Sequence, residues 1–284
     1  MRKLQTMVIP QAFAAEMQKQ CKTDDLFITM MGQNGKVFRA VRGRKTIQVN
    51  FGENSYFIKQ HFGVGWIEIF KNLAMFKKPI ISARTEKIAI EKLTQIGIAT
   101  TPFVAFGEQG CNPATRQSFL VTQDLGDIVS LEDLSADWKN NPPTAKFKRK
   151  LIIAVAKLAK KLHENGMCHR DFYICHLCIH QKNLTAALNN NAEIELYLID
   201  LHRMFIQEKP SSKNSFKDIA ALYFSTMDLD LGASDYLRFM HYYDAHTSSI
   251  FWHQVQMRAK KLYIKFNSKK FQKKLMAEKA SLKD

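Results

Sequence analysis

The sequence predicts an α+β fold in two lobes: a small N-terminal lobe, mainly of antiparallel strands with a long helix, and a larger helical C-terminal lobe. Three observations support this prediction. Residues 36–60 show the rough alternation of apolar and polar side chains that is typical of strands. Residues 146–165 form an amphipathic helical pattern. With 284 residues, 46% of them hydrophobic, the chain is long enough for a core in each lobe.

Within the strand region, Gly43, Gly52 and Asn54 interrupt the alternation. Glycine and asparagine adopt the backbone conformations of tight turns at little cost, so these residues predict the turns between strands. A further buried strand is predicted at 117–125 and leads into a polar connector. We place the lobe boundary there, which gives an N-terminal lobe of residues 1–122 and a C-terminal lobe of residues 123–284.

The segment 61–79 predicts an amphipathic helix. Trp66, Ile69, Phe70 and Leu73 recur at helical spacing, and lysines border this apolar face. The simpler interpretation is that the face packs on the body of the protein. Contact with lipid is the alternative.

A second helix is predicted between Ser82, a capping residue, and Gly97, which can end it. Its apolar stripe consists of Ala89, Ile90, Leu93 and Ile96. Glu86 lies three and four residues before Ala89 and Ile90, so its carboxylate projects from the same face. A buried charge without a partner is costly, and we therefore expect Glu86 to form an ion pair.

The C-terminal lobe is predicted to begin with a helix that Ser130 caps and that has Glu132 and Asp133 in its first turn, followed by the helix at 146–165. The inward face of that helix is formed by Leu151, Val155, Leu158 and Leu162, and Gly166 ends it. The helix runs into His169-Arg170-Asp171. We then expect a strand pair, formed by "HLCIH" and "AEIELYLID" around a turn-rich segment at 181–191, which delivers Asp200.

The stretch 168–180 also suggests a metal site, because it contains three cysteines and three histidines. His176, Cys178 and His180 would share one face of a strand. Zinc sites, however, usually combine two ligand pairs at short characteristic spacings, and no second pair is evident. We therefore favour mostly structural roles for these residues and keep a zinc protein as an alternative.

The order of the remaining polar residues indicates phosphoryl transfer, which requires alignment and charge neutralisation more than covalent chemistry. Asp171 would accept the proton of an acceptor hydroxyl or orient it. Lys59, held by Glu86, would bind the α- and β-phosphates of ATP, and Asp200 would bind Mg²⁺. The structural alternatives are an ordinary ion pair for Lys59 and Glu86, a turn residue for Asp171 and a strand terminator for Asp200.

This arrangement resembles the protein-kinase-like fold. Over residues 36–265, the stretches "YFIKQHFGVGWIEIFKNL", "VAFGEQGCNPATRQSFLVTQDL" and "HRDFYICH" look more specifically like the lipopolysaccharide core heptose(I) kinases of Gram-negative bacteria. The resemblance implies transfer of the γ-phosphate of ATP to a hydroxyl of the first heptose of the inner core. Asp218 resembles the aspartate that braces the catalytic loop in small-molecule kinases.

The chain also departs from the protein-kinase pattern. His176 stands where a second magnesium-binding asparagine is expected, and it could contact Mg²⁺ through water or only a phosphate. Arg42-Gly43-Arg44 replaces the glycine-rich loop, so Gly43 is a candidate nucleotide contact. Arg203 and Arg170 are candidates for contacts with phosphate or an anionic acceptor; a surface salt bridge is the alternative for Arg203.

The acceptor is predicted to be a non-peptide molecule. Tyr173 and Cys175 occupy loop positions where protein kinases usually carry basic residues, and no Ala-Pro-Glu segment follows Asp200. A kinase for the neighbouring octulosonic acid sugar or for protein tyrosine is the alternative within the fold. A non-catalytic basic nucleic-acid-binding module is the alternative outside it, although a binding protein would not need Lys59, Asp171 and Asp200 together.

The composition indicates where the protein acts. Five cysteines, three of them within 168–178, are poorly suited to disulfide pairing and predict a cytosolic setting. No apolar run approaches the roughly 18 residues of a membrane span. The formal net charge is +16, and residues 258–284 hold ten basic and two acidic side chains. We expect this basic tail to bind the anionic cytoplasmic face of the inner membrane, with acyl carrier protein as a further candidate partner and no nucleic acid.

Overall fold

The computed structural model describes residues 5–20, 25–41, 43–74, 79–189, 192–244 and 246–280. The chain divides into two compact units, Met1–Glu91 with Thr101–Gly126 and Lys92–Thr100 with Asp127–Asp284. The first unit contains an antiparallel sheet, and the second is mainly helical. The predicted α+β class is therefore confirmed.

The predicted lobe boundary at 122/123 differs from these units in one main respect. Residues 92–100 belong to the second unit, where Leu198 binds this segment twice. The N–H of Leu198 donates to the carbonyl of Ala99 at 2.9 Å, and Thr100 Oγ1 donates to the carbonyl of Leu198 at 2.6 Å. Contacts between residues so distant in sequence leave no trace in local periodicity.

In chain order, the elements up to residue 123 are β1 (Gln5–Val8), α1 (Gln11–Gln20), α2 (Leu26–Gly32), β2 (Lys36–Val41), β3 (Arg44–Phe51), β4 (Asn54–His61), α3 (Gly65–Ala74), α4 (Arg84–Gln95), β5 (Phe103–Gln109) and β6 (Gln117–Gln123). The six strands form one sheet in the order β1-β5-β6-β4-β3-β2. Each neighbouring pair is antiparallel. The strands predicted at 36–60 are confirmed.

The core of the first unit lies between one face of this sheet and helices α1 and α2. Ile47 and Ile58 project into it from β3 and β4, and Phe27 of α2 packs on Phe119 of β6. Side chains alternate along a strand, so the neighbour of Ile58 in sequence, Lys59, projects from the other face of the sheet. The core therefore determines which face of the sheet presents this lysine.

From residue 128 onward the elements are β7 (Ile128–Ser130), α5 (Leu131–Ser135), α6 (Ala145–Glu164), β8 (Met167–Cys168), β9 (Leu177–His180), α7 (Gln181–Asn189), β10 (Tyr197–Leu198), β11 (Phe205–Ile206), α8 (Ser212–Ser225), α9 (Ala233–Asp244), α10 (Ser249–Phe266) and α11 (Lys269–Ala280). Short 3₁₀ turns occupy Ile174–His176 and Leu201–Arg203. The strands form two small sheets, β10-β9-β7 and β11-β8.

Helix α6 confirms the prediction at 146–165. Thr144 caps it by accepting a hydrogen bond from the N–H of Phe147, and the predicted inward side chains Leu151, Val155, Leu158 and Leu162 are buried. Gly166 follows the helix with φ +68°, and a Cβ there would lie 2.3 Å from the carbonyl oxygen of Gln207. Only glycine fits this turn, which directs the chain into β8 and the segment His169–Asp171.

The turn-rich connection predicted at 181–191 is wrong for Gln181–Asn189, which forms α7. Leu184 and Ala187, three residues apart, are both buried, and the segment is rich in residues of high helix propensity. The predicted strand pair on either side is confirmed, because β9 and β10 are antiparallel with Tyr197 opposite Cys178.

The helix predicted at 61–79 is present as Gly65–Ala74, but the interpretation that its apolar face packs on the protein is wrong. Ile69 is buried, whereas Trp66, Phe70 and Leu73 are exposed. Residues 75–78 of the predicted segment lie outside the described residues. Among the described helices, none combines the length and apolarity needed to span a membrane.

Candidate active site

The first group of site residues contains Lys59 and Glu86, and it lies in the first unit. Glu86 is in the first turn of α4, and its side chain is only 4% exposed. The Nζ of Lys59 donates a short hydrogen bond to its Oε1. The buried carboxylate thus has the cationic partner that the sequence predicted. The lysine side chain remains 26% exposed, so its ammonium group is held but accessible.

The start of α4 is fixed by Glu108 of β5. Ser82 Oγ donates to Glu108 Oε2 and accepts the N–H of Arg84, so Ser82 caps the helix as predicted. Arg84 Nη2 donates to Glu108 Oε1 at 2.7 Å. Burial opposes ionisation of Glu108, but hydrogen bonds from Arg84 and Ser82 outweigh it, and its pKa is lowered. These contacts fix the helical turn that carries Glu86.

Gly43 lies in the turn between β2 and β3, with φ +77°. Its carbonyl accepts the N–H of Phe62 at 2.8 Å, and a Cβ would lie 2.4 Å from the carbonyl oxygen of Gly63. The turn and this close approach explain the glycine without a nucleotide, so the nucleotide contact stays a prediction. Arg42 lies outside the described residues.

The second group of site residues lies in the second unit, on the loop from His169 to His176. Asp218 of α8, 1% exposed, accepts hydrogen bonds from the backbone N–H groups of His169 at 2.6 Å and Arg170 at 2.8 Å. Arg170 is in the left-handed region with φ +70°, and its guanidinium lies over the ring of Phe205. These bonds hold a strained backbone one residue before Asp171.

His169 supports the same loop from the other side. Its Nε2 donates to the carbonyl of Ile199 at 2.9 Å, because a carbonyl can only accept. Burial is the main cause of a lowered pKa for this imidazole. His169 is therefore a neutral structural link between the loop and the residue that precedes Asp200.

Asp171 and Arg203 form an ion pair. Arg203 Nη1 donates to both carboxylate oxygens of Asp171, at 2.6 and 2.9 Å, and the two side chains are 37% and 18% exposed. The candidate base is thus partly accessible and has a fixed orientation. The sequence identified Arg203 as a phosphate or acceptor contact or a salt bridge, but it did not identify Asp171 as its partner.

Asp200 lies between two imidazoles. His202 Nδ1 contacts its Oδ1, and His176 Nε2 lies 3.6 Å from its Oδ2. His176 Nδ1 donates to the backbone carbonyl of Asp171 at 2.7 Å, which fixes its ring with Nε2 toward Asp200. A carboxylate oxygen and an imidazole nitrogen so arranged can bind one divalent cation. Sequence analysis missed His202, although its position two residues after the candidate ligand was a signal.

The structure does not support the zinc alternative. The described residues contain one group of three close potential ligands, His163, Cys168 and Asp218. Burial, followed by the charge of Asp218, raises the pKa of the Cys168 thiol to about 12. Burial likewise raises the pKa of Cys178 to about 11. Asp218 already accepts bonds from backbone N–H groups, and His163 Nε2 donates to it at 3.3 Å.

Three comparisons with known proteins all match this chain to lipopolysaccharide kinases. Residues 29–243 match the model of the lipopolysaccharide kinase (Kdo/WaaP) family. Lipopolysaccharide core heptose(I) kinase WaaP of Pseudomonas aeruginosa is 41% identical over 219 residues, which cover 77% of this chain and 80% of that protein. The protein of the same name from Escherichia coli K12 is 41% identical over 219 residues, 77% and 81% of the two chains.

Among solved structures, WaaP in complex with acyl carrier protein matches this chain with a TM-score of 0.75 and 32% identity. The match covers 91% of this chain and 99% of that chain. The residues matched by the family model, 29–243, include every predicted site residue from Gly43 to Asp218.

Proposed function

This chain belongs to the lipopolysaccharide kinase (Kdo/WaaP) family, and from that premise we propose that it is a heptose(I) kinase. It transfers the γ-phosphate of ATP to a hydroxyl of the first heptose of the lipopolysaccharide inner core. The observation that carries this proposal is the 41% identity to curated heptose(I) kinases over 80% and 81% of their lengths.

Lys59 binds the α- and β-phosphates of ATP, and Glu86 positions it. The support for these roles is geometric: a buried carboxylate holds the ammonium group while leaving it partly exposed. Because Glu86 already holds the lysine side chain, the entropy cost of ordering it is not added when its ammonium group binds phosphate. Gly43 lets the β2–β3 turn approach the nucleotide through its backbone.

Asp200 and His176 would hold Mg²⁺. The donor set fits, because a carboxylate oxygen and the Nε2 of His176 lie 3.6 Å apart and Nδ1 of the same ring is already bonded. Bound there, Mg²⁺ would supply neutralisation of the charge on the β- and γ-phosphates. His202 orients the Asp200 carboxylate through its contact with the other oxygen.

Asp171 acts as the base. Its carboxylate accepts the proton of the heptose hydroxyl as the bond from that oxygen to the γ-phosphorus forms and the bond from phosphorus to the β,γ-bridging oxygen breaks. Arg203 holds the carboxylate in one orientation through two hydrogen bonds. Asp218 fixes the backbone before Asp171. Arg170 precedes this base in the chain and Arg203 is paired with it, so both are candidates to contact phosphate groups of the acceptor.

The protein acts on the cytoplasmic face of the inner membrane, where the basic tail from residue 258 binds anionic lipid headgroups. Acyl carrier protein is a further partner. The support for it is a relative solved as a complex with acyl carrier protein and the net charge of +16 on this chain, which complements an acidic protein.

The test is the mass of a heptosylated lipid A core after incubation with the purified protein, ATP and Mg²⁺. We expect a gain of one phosphate, which Asp171→Asn abolishes because an amide cannot accept the proton. Asp137→Asn, at an exposed position outside the site, is the matched control and retains activity. A phosphate gain only with an octulosonic acid or tyrosine acceptor would contradict the proposed substrate, and failure to bind ATP would contradict the kinase assignment.

A further inference from the structure

Helix α3 exposes a continuous apolar face. Trp66, Ile67, Phe70 and Leu73, which we call the α3 face, are 49%, 79%, 60% and 52% exposed. At roughly 100° per residue they lie within about 120° of each other around the helix axis. Scattered exposed apolar residues are normal, but four large side chains on one face of a ten-residue helix indicate an interaction surface.

The α3 face is held in place by a buried residue beside it and by a hydrogen bond at the start of the helix. Ile69, next to the face, is 5% exposed, so the helix packs against the protein along this side. The N–H of Gly65 donates to the carbonyl of Ala114 at 3.0 Å, which fixes the start of the helix. The rings of Trp66 and Phe70 stack with centroids 5.7 Å apart.

We propose that the α3 face inserts into the interfacial region of an anionic phospholipid bilayer. This rests on the proposed function, because the substrate of a heptose(I) kinase is a glycolipid embedded in a membrane. A tryptophan combined with aliphatic side chains suits this region, where one end of the indole is apolar and the other is hydrated. Lys71, 63% exposed, borders the face and lies 3.6 Å from the carboxylate of Glu68; Lys77 and Lys78, outside the described residues, follow in the sequence. These cations, with a net charge of +16, complement anionic headgroups.

A second copy of the chain fits the α3 face less well. A stable interface buries about 800 Å² per partner, whereas a fully exposed aromatic side chain supplies only about 150–250 Å². Four partly exposed side chains fall short of that area by themselves. A bilayer requires no matching surface and gains from every side chain that enters it. Insertion at α3 would hold the first unit on the membrane, separately from the basic tail of the second unit.

The direct test is binding of the full chain to vesicles of phosphatidylethanolamine and phosphatidylglycerol, measured by sedimentation without ATP. We expect Leu73→Gln to weaken binding roughly three- to tenfold and Phe70→Gln with Leu73→Gln at least roughly tenfold. The matched control is Leu188→Gln in α7, because Leu188 is 53% exposed against 52% for Leu73. This control retains vesicle binding.

A second readout uses Trp66. Vesicles containing brominated lipid quench its fluorescence if the indole enters the bilayer, and Trp66→Phe removes that quenching while it preserves vesicle binding. Unchanged vesicle affinity of the Phe70→Gln/Leu73→Gln variant would overturn the proposal. So would a dimer in solution that the two substitutions dissociate while vesicle binding persists, because the face would then bind a second copy.

The kinase assay separates this proposal from the proposed function. With a deacylated, water-soluble inner-core acceptor, we expect the Phe70→Gln/Leu73→Gln variant to have wild-type activity. If vesicle binding depends on the α3 face but no inner-core acceptor is phosphorylated by the wild type, the proposed function fails and the membrane surface stands. If the acceptor is phosphorylated but the vesicle affinity of the variant is unchanged, the proposed function stands and the membrane surface at α3 fails.

Discussion

At the residue scale, the loop that carries Asp171 depends on a buried carboxylate that is distant in sequence. Asp218 accepts the N–H groups of His169 and Arg170, and Arg170 has a φ of +70°. The left-handed conformation costs a residue with a Cβ about 1–2 kcal/mol. Two hydrogen bonds to the side-chain oxygens of Asp218 offset this cost. Asp218 therefore determines the backbone geometry from which Asp171 projects.

We expect Asp218→Asn to lower both stability and activity. The amide retains one oxygen, so its NH₂ group would face a backbone N–H and leave one buried donor without an acceptor, at a cost of about 1–3 kcal/mol. Thermal unfolding and kcat measure the two effects. Wild-type kcat in a folded Asp218→Asn protein would show that the loop needs no such support.

Glu86 gives a second prediction at this scale. Glu86→Gln removes the carboxylate that holds the Lys59 ammonium group, so kcat/KM for ATP should fall roughly 10- to 100-fold, the loss expected for a hydrogen bond between charged groups. Glu91→Gln is the control on the same helix, because Glu91 pairs with Lys87 and lies outside the site. Equal effects of the two substitutions would contradict a specific role for Glu86.

At the scale of elements, the position of Glu86 depends on how β5 holds the start of α4. Glu108 binds both Ser82 and Arg84, and Ser118 of β6 accepts the N–H of Ala83 at 3.0 Å. Two strands of the sheet thus fix the first turn of the helix. A helix capped only by its own serine would leave the orientation of the carboxylate to the connecting loop.

The lowered pKa of Glu108 predicts a pH dependence of stability. A carboxyl group whose pKa is lower in the folded state stabilises the protein fully above its unfolded pKa of about 4.3, and this contribution is lost as pH falls through the folded value. Denaturant unfolding should show Glu108→Gln less stable by about 1–3 kcal/mol at neutral pH, with the difference shrinking below pH about 4. A difference that grows on acidification would contradict the ionised state.

At the scale of the whole molecule, charge concentrates toward the C-terminus. Residues 258–284 contribute ten basic and two acidic side chains, about half of the net charge of +16. The described part of this region forms α10 and α11, and lysines such as Lys269, Lys270 and Lys273 are exposed on α11. A helix that presents many cations is suited to binding an anionic membrane surface.

We expect the tail to determine affinity for substrate in a membrane. Lys269→Gln, Lys270→Gln and Lys273→Gln combined should raise the apparent KM for vesicle-embedded glycolipid roughly tenfold or more at low salt, since each cation near an anionic surface contributes about 1 kcal/mol. High salt should remove most of the difference through screening. The control exchanges three exposed lysines elsewhere, Lys139, Lys146 and Lys182. Equal losses in both triple variants would indicate only an effect of net charge.

Much of the site was predictable because the individual residues carry local signals. The position of Glu86 on the apolar face of α4 predicted a partner for its carboxylate. The sequence from α6 to Asp171 predicted a loop after a helix. The turns predicted for Gln181–Asn189 were wrong because asparagines at the end of the segment outweighed a short helical pattern around Leu184. The ion pair of Asp171 with Arg203 carried no local signal, because it joins residues of separate turns.

The sequence by itself determined the α+β class, the helices α4 and α6, the strand that carries Lys59 and the identity of the charged residues in the candidate site. These features follow from periodicity, turn chemistry and the cost of burying a charge, all of which act over short stretches of chain. Only the tertiary structure decided that Arg203 orients Asp171, that His202 contacts Asp200 and that the apolar face of α3 stays exposed. Such contacts depend on which distant segments meet, and packing of the complete chain determines that.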